Sequence, residues 1–281
     1  MHRVILFCCL LFTGCLAVAP ATAGETAWQE VAPDVRLRLV TSDVLQQSGD
    51  TLSTMAALEI DMPAGTKTYW RVPGETGIPT RIDLEGSVGI AGHRMHWPYP
   101  TIDTSTGYVD FVYAGRTVLP IELTLASAAA RLEADVLIGI CDEICVPAMV
   151  RFSLPLGFAA PDAGNALRIA QAVAASPAAW DDPADPLPSV HYDATAEALV
   201  IRFDPNIVDP LSLIADASGR GQLFGAPQKS PDGSLVHLPL LGGAQDAVDG
   251  DIAIQLLFMT KSGAYEVSRR VTAAPSTPRD E

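Results

Sequence analysis

The chain has 281 residues, with 18 Lys and Arg against 33 Asp and Glu, a formal net charge of −15. Such a field repels nucleic acid and anionic membrane surfaces and excludes binding built on a basic patch. With 48% apolar residues the chain is too hydrophobic for an acidic disordered tail, and 22 Gly and 22 Pro scattered among short apolar runs point to an all-β architecture.

Residues 1–23 read as a secretory signal peptide. His2 and Arg3 give a polar start, Val4 to Ala19 is apolar or small, and Ala21-Thr22-Ala23 fits a small-x-small cleavage pattern before Gly24. A membrane anchor is the competing reading, but the run is short for a span and ends at Pro20. A lipoprotein reading would use Phe12-Thr13-Gly14 ahead of Cys15, and its leading Phe fits poorly. Cleavage leaves about 258 residues, room for one large domain or two ordinary ones. No later segment approaches about 18 uninterrupted apolar residues, so the expectation is a soluble periplasmic protein with no stable membrane insertion.

Residues 24–158 read as one β domain. Val35–Val40 and Arg81–Glu85 alternate apolar and polar residues, as half-buried strands do. Thr51–Met62, Tyr108–Tyr113, Val118–Leu125, Arg131–Ile140 and Val150–Leu156 complete some seven strands, which suggests an immunoglobulin-like sandwich. An alanine-rich helix over 166–175 and a Pro- and Asp-rich linker fill 159–187. Residues 188–273 return to strands at Leu199–Phe203, Leu235–Leu240, Ile252–Met259 and Tyr265–Val271, with hairpin turns at Asp232-Gly233 and Ser262-Gly263. They are expected to form a second, smaller β domain, followed by a disordered tail at 274–281.

Of five cysteines, Cys8, Cys9 and Cys15 fall in the signal segment, which leaves Cys141 and Cys145 in Gly139-Ile-Cys-Asp-Glu-Ile-Cys-Val-Pro147. A disulfide needs Cα atoms within about 7 Å, whereas four extended residues span roughly 13 Å. The chain must therefore reverse between the two, and Asp142-Glu143 suits a turn. Pro147 restricts the following strand to a sheet edge, where a partner can reach the sulfurs. The carboxylates of Asp142 and Glu143 disfavour thiolates, and Arg151 is the nearest basic residue in sequence. Strong oxidants stabilise their thiolates, so this pair is expected to give electrons away.

Two other readings of the pair stay open. One is a plain staple of a single hairpin, although so short a loop gains little from closure. The other is copper(I) binding and copper tolerance, with His93, Met95 and His96 as further donors to Cys141 and Cys145. Tyr69, Trp70, Arg71 and Pro73 in one stretch, and Trp97 and Tyr99 in another, read as loops packed over the core, or as a wall, cap or docking surface beside the thiols. No nucleophile elbow or phosphate-binding loop occurs, and no cofactor is expected.

Three stretches in order resemble the N-terminal periplasmic domain of the DsbD family of thiol:disulfide interchange proteins, in its ScsB-like variant. They are Tyr69-Trp-Arg-Val-Pro-Gly-Glu-Thr-Gly-Ile-Pro79, Trp97-Pro-Tyr-Pro100, and Cys141-Asp-Glu-Ile-Cys-Val-Pro147 followed by Phe152-Ser-Leu-Pro-Leu156. The resemblance implies an immunoglobulin-like domain with a redox-active pair. Cys145 would be the exchanging thiol, Cys141 its resolving mate, and Tyr69–Pro79 a cap loop. It also implies electrons arriving from a membrane-embedded or thioredoxin-like carrier upstream and leaving to an oxidised periplasmic protein downstream. Two departures stand out: the pair is closer in sequence than in the parent domain, and the chain is expected to stop without the transmembrane and thioredoxin-like domains.

Overall fold

The computed structural model describes residues 24–217, 219, 221–242 and 251–272; the signal-peptide and tail expectations lie outside the described residues. In its first half the strands are β1 (Gln29–Ala32), β2 (Val35–Thr41), β3 (Gln46–Ser48), β4 (Thr51–Asp61), β5 (Lys67–Gly74), β6 (Arg81–Asp83), β7 (Ile90–Met95), β8 (Thr101–Asp103), β9 (Asp110–Ala114), β10 (Thr117–Leu125), β11 (Arg131–Cys141) and β12 (Cys145–Pro155). Two sheets form from them, in the orders β1-β2-β4-β10-β7 and β12-β11-β5-β9-β8, with β3 added to β4 and β6 to β11. Their facing sides bury Leu37, Leu58, Leu119, Ile121, Trp70, Phe111, Ile138 and Phe152 in one core. The fold is all-β, and its two facing antiparallel sheets are consistent with the immunoglobulin-like sandwich expected from strand spacing.

Period-2 alternation decides which side chains enter that core. Along β5, Trp70 and Val72 face inward, while Tyr69 packs on the opposite face with Val112 and Cys141. Expecting Tyr69–Gly74 to be a loop missed this: the stretch is an inner strand between β11 and β9, and its β-formers Thr68-Tyr-Trp-Arg-Val72 were the available signal.

Helix α1 (Ala163–Ala174) begins at an Asp162 cap, whose side chain accepts from Asn165 N at 2.9 Å. It covers the outer face of the first sheet, packing Ile169 on Val40 and Ala57. Arg168 reaches 2.7 Å from the fully buried Glu59 carboxylate, which Arg38 also engages at 2.7 Å. Replacing one partner of such a buried pair would strand a charge, so the pair fixes where the helix sits.

The second half contains β13 (Ala178–Ala179), β14 (Ser189–Asp193), β15 (Ala198–Arg202), β16 (Ile214–Ala217), β17 (Gln222–Phe224), β18 (Gln228–Lys229), β19 (Leu235–Leu241), β20 (Asp251–Thr260) and β21 (Gly263–Thr272). They form one sheet in the order β13-β21-β20-β16-β17-β19-β15-β14, with β18 on β19. Contacts of β14 with β21 show the sheet curling on itself, around Leu199, Phe224, Leu238, Ile254 and Phe258. Both expected hairpin turns are found, between β18 and β19 and between β20 and β21. The two halves pack directly. Ile214 and Leu257 join the first core, Arg71 holds Asp216 and Gln255 at 2.8 Å each, and the Tyr99 hydroxyl donates to the Ser212 carbonyl.

Candidate functional site: a disulfide at a hairpin tip

β11 and β12 form a hairpin whose ladder runs without a break from Arg131↔Pro155 to Cys141↔Cys145. The two cysteines are thus direct cross-strand neighbours, 4.1 Å apart at Cα and joined as a disulfide, with Asp142, Glu143 and Ile144 as the turn. This is the chain reversal that the spacing demanded. β12 is an edge strand, as Pro147 required.

The two sulfurs are in different surroundings. Cys141 is 1% exposed, whereas Cys145 is exposed together with the turn before it. Cys141 lies on the outer face of the second sheet, against Tyr69 and Val112. The Tyr69 hydroxyl donates to Cys141 Sγ at 3.0 Å and lies 3.2 Å from Cys145 Sγ. Burial raises the Tyr69 pKa, a shift the neighbouring Thr76 hydroxyl moderates, so the phenol keeps its proton at neutral pH.

A short segment after β5 closes over the tyrosine. A β-carbon on Gly77 would lie 2.2 Å from Tyr69 Cδ1, and one on Gly139 would lie 2.8 Å from Ile78 Cβ. Glycine at both places lets the segment approach ring and strand closely. Its ends are pinned. Glu75 N donates to the Val109 carbonyl at 2.9 Å. Thr76 donates to the buried Asp110 carboxylate through its amide (3.0 Å) and hydroxyl (2.6 Å), and the Thr80 hydroxyl donates to the Tyr69 carbonyl at 2.5 Å. The covering segment is therefore Glu75–Thr80, and Tyr69 is what it covers.

Electrostatics at the site differ from the sequence expectation. Arg151, the nearest base in sequence, is tied to Asp135 at 2.5 Å farther along the hairpin. The base beside the pair is Lys67, register partner of Cys141. Its ammonium is 2.8 Å from Asp103 and 3.7 Å from Asp110. Burial alone would lower the Lys67 pKa, but the Asp103 hydrogen bond and charge outweigh it and raise it. Hydrogen bonds from Lys67 and Ser105 hold Asp103 well below its ordinary range, at about 2. Sequence reasoning missed Lys67 because β5 had not been read as a strand beside β11.

The remaining candidates lie elsewhere. Trp70 is core, packed edge-on to Phe111 with centroids 6.0 Å apart. Arg71 and Tyr99 bind the second half, and Trp97 packs against the core. Pro73 lies in β5, before the covering segment. The five-residue metal set does not assemble. His93 and Met95 are on β7 and His96 follows it, in the first sheet. His96 pairs with Glu122 at 3.2 Å. Cys141 and Cys145 belong to the second sheet, on its outer side. Among the described residues no group of three or more His, Cys, Asp or Glu is arranged to hold a metal ion.

A sandwich that presents one exposed and one buried sulfur at a hairpin tip defines a class: a dithiol–disulfide pair on an immunoglobulin-like scaffold. Residues 38–157 match the family model described as "Thiol:disulfide interchange protein DsbD, N-terminal". The crystal structure of the N-terminal periplasmic domain of ScsB from Proteus mirabilis shares the fold. It superposes with a TM-score of 0.68 at 21% identity, over 90% of this chain and 100% of its own. That span includes the second half as well as the sandwich. An endo-fucoidan hydrolase of glycoside hydrolase family 107 aligns at 13% identity over 75% of this chain and 35% of its own, with a TM-score of 0.19 that carries no weight. No curated protein sequence matches the chain.

Proposed function

We propose that the protein is a periplasmic thiol–disulfide exchange module in which Cys145 exchanges with partners and Cys141 resolves. The observation that carries this is the asymmetry of burial: Cys145 is exposed to an incoming sulfur, while Cys141 is buried against Tyr69 and Val112, with the Glu75–Thr80 segment lying over Tyr69. In the reduced protein the Cys145 thiolate attacks a partner disulfide, forming a mixed disulfide and expelling one partner thiolate. Cys141 then attacks Cys145 Sγ, the second partner thiolate leaves, and two electrons have passed to the partner. Run backwards, a donor thiolate attacks Cys145 and Cys141 departs with its developing charge hydrogen-bonded by Tyr69.

The acidic turn, Asp142 and Glu143, opposes negative charge on the sulfurs and supports electron flow outward to an oxidised partner. A membrane-embedded or thioredoxin-like donor restores the dithiol. Ile144 (76% exposed), in the turn next to Cys145, and Met149 (83% exposed), four residues farther along β12, offer partners exposed apolar side chains on the same hairpin. Residues 24–158 are the redox unit in this reading, and 188–273 a second unit packed against it through Arg71 and Tyr99.

The test is trapping. In a Cys141→Ser protein, Cys145 should accumulate mixed disulfides with partner proteins that dithiothreitol releases. Cys145→Ser should trap none. The reverse pattern, or trapping by neither, sinks the assignment.

A further inference from the structure

The outer face of the first sheet holds a buried acid that the exchange chemistry does not use. Asp43 is 3% exposed. Among the described residues its carboxylate accepts from the Thr41 hydroxyl, at 3.3 Å, and from the Gly157 backbone N–H, both neutral donors. Among the described residues no Lys, Arg or His lies within ion-pair distance of it, in contrast to the buried Glu59 nearby with two arginines. Burial, with the neighbouring Asp162 charge adding to it, raises the Asp43 pKa above the usual carboxylate range. A desolvated carboxylate without a counter-charge is costly.

What lies against this acid is Gly24. A β-carbon on Gly24 would sit 2.7 Å from Asp43 Oδ2. The Gly24 nitrogen, bonded to the same Cα, is therefore within about 5 Å of that oxygen. Gly24 is buried and firmly seated. Its carbonyl accepts from Thr41 N at 2.7 Å and from Asn165 Nδ2 of α1 at 3.1 Å. Its φ of +92° lies where only glycine is at ease. Gly24 is also the residue directly after the small-x-small pattern Ala21-Thr22-Ala23.

We propose that the Ala23–Gly24 peptide bond is hydrolysed and that the α-ammonium group released on Gly24 pairs with the buried Asp43 carboxylate. An endopeptidase with a preference for small residues adds one water across the bond; Ala23 keeps a carboxylate and Gly24 gains an amine that protonates. Before cleavage the nitrogen is a neutral amide and Asp43 has no cation among the described residues. After cleavage the positive charge arises at the place that lacks it. The pairing ties the processed terminus to β2 through Thr41 and to α1 through Asn165, so folding of this layer is completed by processing.

The mass of the exported protein gives its first residue, expected to be Gly24. Melting temperatures are then compared for the chain beginning at Gly24 and the same chain retaining Thr22 and Ala23, each with Asp43 and with Asp43→Asn. Asparagine keeps the size and tolerates the left-handed φ of 51° that Asp43 adopts. The Gly24 form should melt several degrees above the extended form, and Asp43→Asn should abolish that gap. A different first residue, no gap, or an equal loss from Asp43→Asn in both forms overturns the proposal.

Discussion

The two faces of the second sheet, compared at neighbouring residues of one strand, separate structure from chemistry. Tyr69 and Trp70 are both fully buried. Trp70 is buried by the opposing sheet and packs edge-on to Phe111. Tyr69 is buried by a short segment, Glu75–Thr80, and touches both sulfurs. A side chain covered by a sheet can be uncovered only by unfolding, whereas one covered by a segment can be uncovered by local opening, at a fraction of the global stability. Depth of burial therefore does not distinguish the two faces; the nature of the cover does.

The largest effect should come from the inner face. Trp70→Ala removes a fully buried indole and should cost about 3–5 kcal/mol of stability, read by urea unfolding. The protein that remains folded should exchange its disulfide at the original rate. A change in exchange rate matching the loss of stability would mean that the two faces are one unit. Next comes Gly77→Ala, whose new methyl cannot coexist with the Tyr69 ring 2.2 Å away. Displacing the cover should cost about 1–3 kcal/mol and speed reduction of the disulfide by a small thiol, with the exposed Cys145 already accessible and Cys141 newly so. Unchanged reduction kinetics would show that the cover does not gate the pair.

Much of this arrangement was legible before the structure. Alternation marked β2 and β6, strand-forming runs marked β4, β9, β10, β11 and β12, and the four-residue separation of the pair with Pro147 behind it pointed to an edge hairpin. What escaped was β5. Its aromatic, Pro- and Gly-containing sequence reads as a loop, because a strand buried on both faces loses the polar alternation that identifies half-buried strands. Missing β5 hid three things together: Trp70 as core, Tyr69 as the group on the sulfurs, and Lys67 as the base beside Cys141. The failure of the His93, Met95 and His96 set has a similar cause, since proximity across a sandwich depends on which sheet each strand joins.

A smaller effect isolates the hydroxyl. Tyr69→Phe keeps the ring under the cover and removes only the donor to the sulfurs. Exchange should slow by about tenfold or less, equivalent to about 1.4 kcal/mol in the barrier, with stability nearly unchanged. Equal rates in the two proteins would reduce Tyr69 to a spacer and leave burial of Cys141 as the whole basis of the asymmetry.

The smallest effect concerns the charge beneath the site. Asp103 on β8 reaches across to Lys67 on β5, and its pKa falls from 3.8 to about 2, chiefly through the Lys67 hydrogen bond. A depressed carboxylate pKa stabilises the folded state wherever the unfolded chain would hold the extra proton. That contribution is complete above pH 3.8 and lost as the pH falls through about 2, where both forms are protonated. Because the pair is partly open to solvent, about 1 kcal/mol is at stake. Asp103→Asn can keep the contact with Ser105 N while removing the charge, so unfolding free energies measured from pH 7 downward should converge with wild type near pH 2. Parallel profiles would show that Lys67 is held by Asp110 instead, and that the outer face depends on the same buried aspartate that anchors its cover.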